Sequence, residues 1–225
     1  DKYLGTFGEF SSFSFYTSHQ ISAGEGGMIC CKDKKDYEII KSLRSHGWSR
    51  GTSFENKYKN SKTLNKKFIF FNSGFNLRPT EVSAAIGFNQ FKRLEKMKKS
   101  RNLNRKKIIN AFKNSKILNK SINFFQPNKK VKPSWFGLPI RFNSKTKLNE
   151  VLLKLEQSGI ETRPIISGNF TKQPAAKIYK LVNNIKFKNT DEIYNSSFFI
   201  GLPTKPIKKK KIEILIKIFE KIFKK

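Results

Sequence analysis

Apolar and polar residues alternate in short runs over residues 3–31, and Gly and Ser separate the runs. This alternation predicts two β-strands, joined by the loop in the middle of SFSFYTSHQISAGEGGMICCKD. In the next segment, KKDYEIIKSLRSHG, the apolar residues Tyr37, Ile40 and Leu43 recur at helical spacing. We therefore predict a helix that ends at Gly47.

The middle of the chain predicts a loop, a strand and a long helix, in that order. Residues 48–66 are polar and aperiodic, and such long loops inside compact domains are usually functional or mobile. FIFFNSGFNLRP begins as a strand-like run and ends in a turn, and Pro79 is expected at the first position of a helix that reaches about residue 112. The small apolar residues of its first half favour close packing, and its second half is a basic amphipathic connector.

In the second half of the chain, segments with strand-like apolar runs alternate with segments in which apolar residues recur at helical spacing. A polar stretch near residues 113–133 precedes strand SWFGLPIRF, helix KLNEVLLKLEQSG, strand IETRPII, a loop through SGNFTKQP, helix NTDEIYNS, strand FFIGL and a helix from about residue 208. This order predicts a separate α/β domain, and we place the domains at residues 1–114 and 115–225. The last helix has one apolar and one lysine-rich face, which favours packing on its own sheet over a membrane-surface role.

Composition limits the class of protein. The 225 residues are 37% hydrophobic and include 22 Phe, enough for a sizeable core. No apolar run approaches the length of about 18 residues that would predict a membrane span. Cys30 and Cys31 are adjacent on a predicted strand, so they suit neither a disulfide nor a metal site, and they fit a reducing cytoplasm. The first residue is Asp and no leader pattern precedes the first strand, so we expect the chain to begin within a longer protein.

The charge of the chain is strongly positive. Its 47 Lys and Arg against 16 Asp and Glu give a net charge of +31, which raises the alternative of a polyanion-binding protein. The excess is mostly Lys and is spread along the whole chain, which favours a solvated surface or coding bias. We expect no nucleic-acid partner, and a positive field would also suit a nucleotide-linked substrate.

Four segments carry a family resemblance: the SFSFYTSHQISAGEGG loop, RSHGWSRG, SGFNLRPTEVSAAIGFNQFKRLE and IETRPIISGNF. In this order they resemble the DegT/DnrJ/EryC1/StrS family of pyridoxal-phosphate-dependent sugar aminotransferases and dehydratases. The resemblance implies an α/β protein of the fold type I transferases, with the end of the large cofactor domain and the complete small domain. The aromatic that stacks on the cofactor and the carboxylate that pairs with its ring nitrogen are expected before residue 1.

His19 is the predicted catalytic residue. In the aminotransferases of this family a Ser is followed five residues later by the Lys that holds the cofactor covalently, whereas here Ser14 is followed by His19. The resemblance associates that exchange with 3-dehydratases, which use pyridoxal 5'-phosphate (PLP) and its pyridoxamine form to remove the C3 hydroxyl of a nucleotide-linked 4-keto-6-deoxyhexose. A Lys amine would recapture the cofactor and release an aminated sugar, whereas imidazole carries protons near neutral pH. The resemblance also implies L-glutamate as the amino donor.

The resemblance assigns the remaining site residues. Ser14 would bind the cofactor phosphate, and Asn76 would reach that phosphate from the partner subunit. Phe68 would approach the partner's active site. These assignments imply a homodimer with shared active sites.

Substrate contacts are implied for four residues. Arg50 would contact the nucleotide diphosphate, which suits its planar donor fork. His46 either binds substrate or only shapes its turn. Glu161 and Arg163, in the E-x-R-P segment, would face the sugar and glutamate carboxylates.

Two subgroups of 3-dehydratase remain to be separated. Residues 48–73 contain no Cys, which disfavours the subgroup with a [2Fe-2S] cluster, although GNFTKQP and NTDEIYNSSFFIGL resemble it. The cluster-free subgroup acts on a GDP-linked sugar in polysaccharide deoxysugar synthesis and is the better match. A CDP-4-keto-6-deoxyglucose 3-dehydrase and an aminotransferase paralogue remain alternatives, because the sequence does not fix the base or the hexose.

Overall fold

The computed structural model describes residues 2–143, 148–180 and 186–224, which pack as two compact units, residues 1–94 and 95–225. The first unit contains strands β1 (Phe10–Ser14) and β2 (Gly27–Cys31), helices α1 (Lys34–Leu43) and α2 (Glu81–Phe91), and a 3-10 helix, Ser53–Tyr58. The second contains α3 (Leu94–Asn114), α4 (Leu118–Ser121), β3 (Ile122–Phe124), β4 (Gly137–Phe142), α5 (Leu148–Gln157), β5 (Thr162–Pro164), a 3-10 helix (Phe170–Lys172), α6 (Pro174–Ile178), α7 (Lys188–Ser196), β6 (Ser197–Gly201) and α8 (Lys209–Phe223).

The first unit begins with the predicted pair of strands. β1 and β2 are antiparallel, with Ser12 opposite Ile29, so this prediction is confirmed. α1 follows because the Asp33 side chain accepts hydrogen bonds from the Lys35 and Asp36 amides and caps the helix. The regular helix ends at Leu43, before the predicted Gly47.

Two predictions in the middle of the chain were wrong. FIFFNSGFNLRP forms no strand, and only isolated β-bridges join Trp48 to Phe70 and Ser45 to Asn76. Pro79 is not the first helical residue, because the Thr80 hydroxyl accepts from the Ser83 amide at 3.1 Å and α2 begins after this cap.

The predicted long helix is divided into α2 and α3. At the break, the Arg93 amide donates to the Gln90 carbonyl at 3.0 Å. This hydrogen bond joins residues three apart, as in a 3-10 helix, and it tightens the turn. The close packing predicted for the small residues of α2 is not seen in this chain, because α2 has no buried residue and Val82 and Ile86 are exposed. Gly87 lies against the β1–β2 loop, where a Cβ would be 3.5 Å from the Ala23 Cβ, an ordinary contact.

The second unit is built on one antiparallel sheet with strand order β3-β4-β6-β5. β4 pairs with β3 and β6, with Leu138 opposite Ile200, and Arg163 of β5 lies opposite Phe199 of β6. Its core includes fully buried Leu138, Phe198 and Phe219. The polar stretch near residues 113–133 contains α4 and β3, which were not predicted because four and three residues are too short to show a period.

The apolar face of α8 packs on this core, as predicted, through the buried residues Ile212 and Phe219. Its lysines line the other face. No helix within the described ranges is both long and apolar enough to cross a bilayer.

Helix α3 packs with the second unit, through its buried residues Ile108, Ile109 and Phe112. The Arg101 Nε atom donates to the Leu202 carbonyl at 3.2 Å. Asn104 donates to the carbonyls of Pro203 and Lys205 and accepts from the Ile207 amide, at 2.8–3.0 Å. The sequence placed this helix in the first domain, residues 1–114, and that domain boundary stays a prediction for the whole protein.

Candidate active site

The β1–β2 loop holds two of the predicted site residues, Ser14 and His19. Its base is closed by the Phe15 amide, which donates to the Gly26 carbonyl at 2.9 Å, and by the Ala23 amide, which donates to the Phe15 carbonyl at 2.8 Å. The His19 amide donates to the Tyr16 carbonyl at 2.9 Å, which makes a tight turn at the tip. The loop is therefore fixed by its backbone. Ala23 is buried, and residues 16–19 at the tip are exposed.

Ser14 is exposed at the end of β1. Its hydroxyl oxygen accepts a hydrogen bond from the Tyr16 amide at 3.3 Å, which leaves the hydroxyl proton available for another acceptor. A small hydroxyl donor beside a backbone turn suits a phosphate group.

His19 is exposed, and its ring meets the edge of the Tyr16 ring with centroids 6.1 Å apart. Within the described part of the chain its imidazole nitrogens form no hydrogen bond, so both ring nitrogens can exchange protons with a bound molecule. Residues 15–26 contain no lysine, so this loop has no primary amine to attach to an aldehyde.

The RSHGW turn joins the SGFN segment backbone to backbone. His46 and Gly47 both have positive φ, 61° and 86°. A Cβ on Gly47 would lie 1.7 Å from the Asn72 carbonyl oxygen, and a Cβ on Gly74 would lie 2.3 Å from the Gly47 amide nitrogen. Glycine is required at both positions, because only its absent side chain permits this approach.

Hydrogen bonds on either side of the glycines fix the register of the two segments. The His46 amide donates to the Phe75 carbonyl at 2.8 Å, and the Phe71 amide donates to the Gly47 carbonyl at 3.0 Å. Asn76 lies opposite Ser45 in an isolated β-bridge and is exposed. These contacts place Asn76 beside the turn that carries His46.

Trp48 is the centre of a cluster that includes three predicted residues. Its ring centroid lies 5.7 Å from that of His46 and 6.1 Å from that of Phe68. The Arg50 guanidinium carbon lies 4.9 Å from the Trp48 centroid, a cation–π contact. The structure therefore brings His46, Arg50 and Phe68 together.

The segment after Arg50 is fixed to α1. Lys41 Nζ donates to the Gly51 carbonyl at 2.8 Å, and the Ser53 hydroxyl donates to the carboxylate of Glu38, which is buried. This hydrogen bond from Ser53 is the main cause that lowers the pKa of Glu38, so the carboxylate stays charged at neutral pH. Arg50 is thus held at the start of an ordered stretch within the predicted loop.

Glu161 and Arg163 lie in the second unit, at the start of β5. Arg163 Nη2 donates to Glu161 Oε1, and both side chains are exposed. The buried Thr162 between them shows that the two charged residues share the outward side of the strand. Their predicted substrate contacts stay predictions.

Sequence reasoning did not single out Trp48 or Arg78, which the structure brings together with the predicted residues. The Arg78 guanidinium carbon lies 5.7 Å from the Trp48 centroid, so it joins the cluster from a position thirty residues later in the chain. Trp48 had a signal, since it lies within RSHGWSRG, but nothing in the sequence pairs it with Arg78.

Potential metal ligands are dispersed. Among the described residues, no three His, Cys, Asp or Glu side chains are grouped so that they could hold a metal ion. Cys30 and Cys31 are free thiols, one exposed and one half-buried.

The donor set of the first unit fits PLP. The Ser14 hydroxyl and the exposed Asn76 carboxamide could each donate to a phosphate, and the lysine-free loop at His19 would hold PLP without a covalent bond. What PLP supplies when it is bound is an aldehyde and a conjugated ring that accepts electrons.

Three comparisons with known proteins agree. The model of the DegT/DnrJ/EryC1/StrS aminotransferase family matches residues 1–218. The GDP-4-keto-6-deoxy-D-mannose 3-dehydratase of Escherichia coli O55:H7 is 31% identical over 207 residues, which are 89% of this chain and 52% of that protein. The chain thus spans about half the length of the curated relatives it matches.

Two solved structures of this dehydratase are also similar, one from E. coli with bound hydrated PLP and one with a trapped PLP-glutamate geminal diamine. Each has a TM-score of 0.82 and 28% identity, over 97% of this chain and 56% of the other. The predicted fold class is confirmed: the chain is α/β, with the fold of the type I PLP-dependent transferases.

Proposed function

We propose, because the chain belongs to the DegT/DnrJ/EryC1/StrS aminotransferase family, that the full-length protein is a PLP-dependent 3-dehydratase acting on GDP-4-keto-6-deoxymannose. The product would be a 3-deoxy-4-keto sugar for polysaccharide synthesis. The similarity to dehydratases of that name supports the substrate.

One observation carries this proposal: His19 lies in a loop that contains no lysine. The resemblance places the cofactor-binding Lys of the aminotransferases five residues after Ser14, where this chain has His19. An imidazole does not retain the cofactor covalently, and a free base near neutral pH can move protons during the loss of a hydroxyl.

Some of the site residues would bind the cofactor or the substrate, and His19 would transfer protons. Ser14 and Asn76 would donate hydrogen bonds to the cofactor phosphate. A ring nitrogen of His19 would take up one proton and return it later in the cycle. Arg50 would bind the nucleotide diphosphate through its guanidinium fork.

Glutamate is the proposed amino donor, and the structure of a similar dehydratase with PLP and glutamate supports it. Arg163 would bind a glutamate carboxylate, and Glu161 would orient Arg163 through their ion pair. The free thiols of Cys30 and Cys31 fit the cytoplasm, which we propose as the location.

The direct test is turnover by the purified full-length protein. With PLP, L-glutamate and GDP-4-keto-6-deoxymannose we expect ammonia, 2-oxoglutarate from the oxidised glutamate, and a 3-deoxy-4-keto sugar, identified by mass spectrometry. An amino sugar in place of the 3-deoxy sugar would identify an aminotransferase and contradict the proposal. Turnover of CDP-4-keto-6-deoxyglucose alone would transfer the activity to the other dehydratase subgroup.

The phosphate site has a matched control on the same strand. Ser14→Ala should weaken PLP binding about tenfold or more, since hydrogen bonds to charged groups contribute about 1.5–3 kcal/mol. Ser12→Ala removes another exposed hydroxyl of β1 and should leave PLP binding unchanged. Equal PLP affinity in the two variants would remove Ser14 from the site.

We further propose a homodimer in which Asn76 and Phe68 serve the partner's active site. Subunits carrying His19→Asn and subunits carrying Asn76→Ala should each be inactive as homodimers. If equal amounts reassort at random, about half of the dimers contain one subunit of each kind, and one of the two sites in such a dimer has both intact residues. About a quarter of all sites should then be active. No recovery of dehydration in reassorted dimers would indicate self-contained sites.

A further inference from the structure

Strand β5, which carries Arg163, lies at one edge of the sheet in the second unit. It has three residues and pairs with β6, where Arg163 lies opposite Phe199. Its last residue, Pro164, has no amide proton to donate. Few backbone hydrogen bonds therefore fix β5, and the direction of Arg163 also depends on the segment that follows.

Residues 165–173, all within the described ranges, form the loop after β5, and none of them is buried. Apolar burial therefore contributes little to holding this loop. The loop lies on helix α7 instead, where the backbone of Gly168 meets the ring of Tyr194: a Cβ at Gly168 would be 2.6 Å from Tyr194 Cδ2. Gly168 has a φ of 69°, and its amide donates to the Ile165 carbonyl at 3.1 Å, so a tight turn presents its bare Cα to that ring.

Asp191 of α7 holds the same loop by its charge. Its Oδ1 atom lies 2.8 Å from Lys172 Nζ, near the end of the loop. Hydrogen bonds from Lys172 and from the Asn169 side chain lower the pKa of Asp191, so the carboxylate stays charged at neutral pH. The Asn169 carboxamide oxygen accepts from the Thr171 amide and hydroxyl at 3.1 and 2.7 Å, which fixes the orientation of that side chain.

These contacts join the loop to the strand that pairs with β5. Helix α7 ends at Ser196 and β6 begins at Ser197, so the helix that holds the loop continues directly into the partner strand of Arg163. Both ends of the connection from β5 are thereby fixed to one element. A loop that left α7 would release the carboxyl end of β5.

We propose that Asp191 is a positioning residue, which holds residues 165–173 on α7 and so keeps Arg163 directed toward the amino donor. The inference rests on the proposed function, in which Arg163 binds a glutamate carboxylate. Asp191 itself would touch neither substrate nor cofactor. Its loss should therefore weaken the use of glutamate and leave the KM of the nucleotide-sugar unchanged.

The reaction of the full-length, PLP-loaded protein with L-glutamate alone tests the inference, because it yields 2-oxoglutarate without any sugar. Asp191→Ala should raise the glutamate concentration that gives half the maximal rate about 2- to 5-fold, the range for one exposed ion pair. Lys172→Asp should raise it further, because two carboxylates would then face each other. The double variant Lys172→Asp, Asp191→Lys restores opposite charges and should recover most of the loss, which a general folding defect would not allow.

The matched control is Glu213→Ala, which removes a carboxylate from an ion pair within α8, 3.9 Å from Lys209 Nζ, and should leave the glutamate dependence unchanged. Amide exchange of residues 165–173 should be faster in Asp191→Ala and return toward the wild-type rate in the double variant. An unchanged glutamate dependence in Asp191→Ala, an equal rise in the KM of the nucleotide-sugar, or a loss that the double variant does not recover would overturn the inference.

The sugar reaction distinguishes this inference from the proposed function. If Asp191→Ala weakens the glutamate reaction as expected and the wild-type protein dehydrates none of the sugars tested, the inference is kept and the function is rejected. If wild type dehydrates the sugar and Asp191→Ala uses glutamate as wild type does, the function is kept and the inference is rejected. A wild-type protein that does not react with glutamate would also reject the inference.

Discussion

Gly47→Ala should separate the RSHGWSRG segment, which carries Arg50, from the SGFN segment, which carries Asn76. The new Cβ would lie 1.7 Å from the Asn72 carbonyl oxygen, whereas carbon and oxygen normally stay about 3.3 Å apart, so the backbone must move by about 1.5 Å. Overpacking of this kind costs about 1–3 kcal/mol. The left-handed backbone of Gly47 adds about 1–2 kcal/mol for any residue with a Cβ.

Gly24→Ala is the control for the cost of the left-handed backbone alone. Gly24 also has a positive φ, 80°, but a Cβ there would meet no atom within 4 Å. The two variants should therefore differ in stability by about 1–3 kcal/mol, which is the cost of overpacking at Gly47.

Amide hydrogen exchange of the full-length protein measures that difference locally. Peptides that contain Ser49 and Phe71, whose amides donate across the contact, should exchange about 5- to 150-fold faster in Gly47→Ala than in Gly24→Ala. GDP binding should weaken in the same variant. Equal exchange in the two variants would show that the segments do not touch at Gly47.

Further predictions concern the proposed base His19, the buried Asn104 of α3 and the buried carboxylate of Glu38. His19→Lys should retain PLP through dialysis after borohydride treatment, while dehydration falls about 10²- to 10⁴-fold, the usual loss of general-base catalysis. Asn104→Ala removes three hydrogen bonds of about 1 kcal/mol each and should lower the free energy of unfolding in urea by about 3 kcal/mol, whereas Asn102→Ala, at an exposed position of α3, should change it little. The lowered pKa of Glu38 means that its stabilisation is present above the ordinary carboxyl pKa and lost as pH falls through the folded pKa. Glu38→Gln should therefore reduce the acid-induced loss of protection of the amides around Ser53, measured as the exchange rate relative to the intrinsic rate at each pH.

The sequence predicted the β1–β2 pair and the site at its loop because both depend on neighbouring residues. Strand alternation, turn glycines and the spacing from Ser14 to His19 all lie within one stretch of the chain. The strand predicted at FIFF does not form because the neighbouring segment offers it no regular pairing. Ile69 is buried and Phe68 and Phe70 are exposed, so the alternation is present, but the bent backbone at His46 and Gly47 offers only isolated pairings.

The cluster at Trp48 could be predicted only in part. Arg50 and Phe68 followed from the family resemblance, which compares positions along a chain. The convergence of Arg78 on the same ring depends on the glycine contact between segments that lie about thirty residues apart, and no local pattern encodes that contact. The same limit applies to α3, whose basic surface predicted a connector although its apolar residues complete the core of the second unit.

The hydrogen bonds of α3 and of the adjacent Ser115 with the last part of the chain determine when the second unit can fold. Arg101 and Leu202, Asn104 and Lys205, and Ser115 and Glu220 are partners about a hundred residues apart. Such contacts of high sequence separation form slowly, and a ribosome adds about 5–20 residues per second. For several seconds of synthesis the apolar side of α3 therefore emerges without its partners, and we expect this to be the interval in which the nascent chain needs a chaperone.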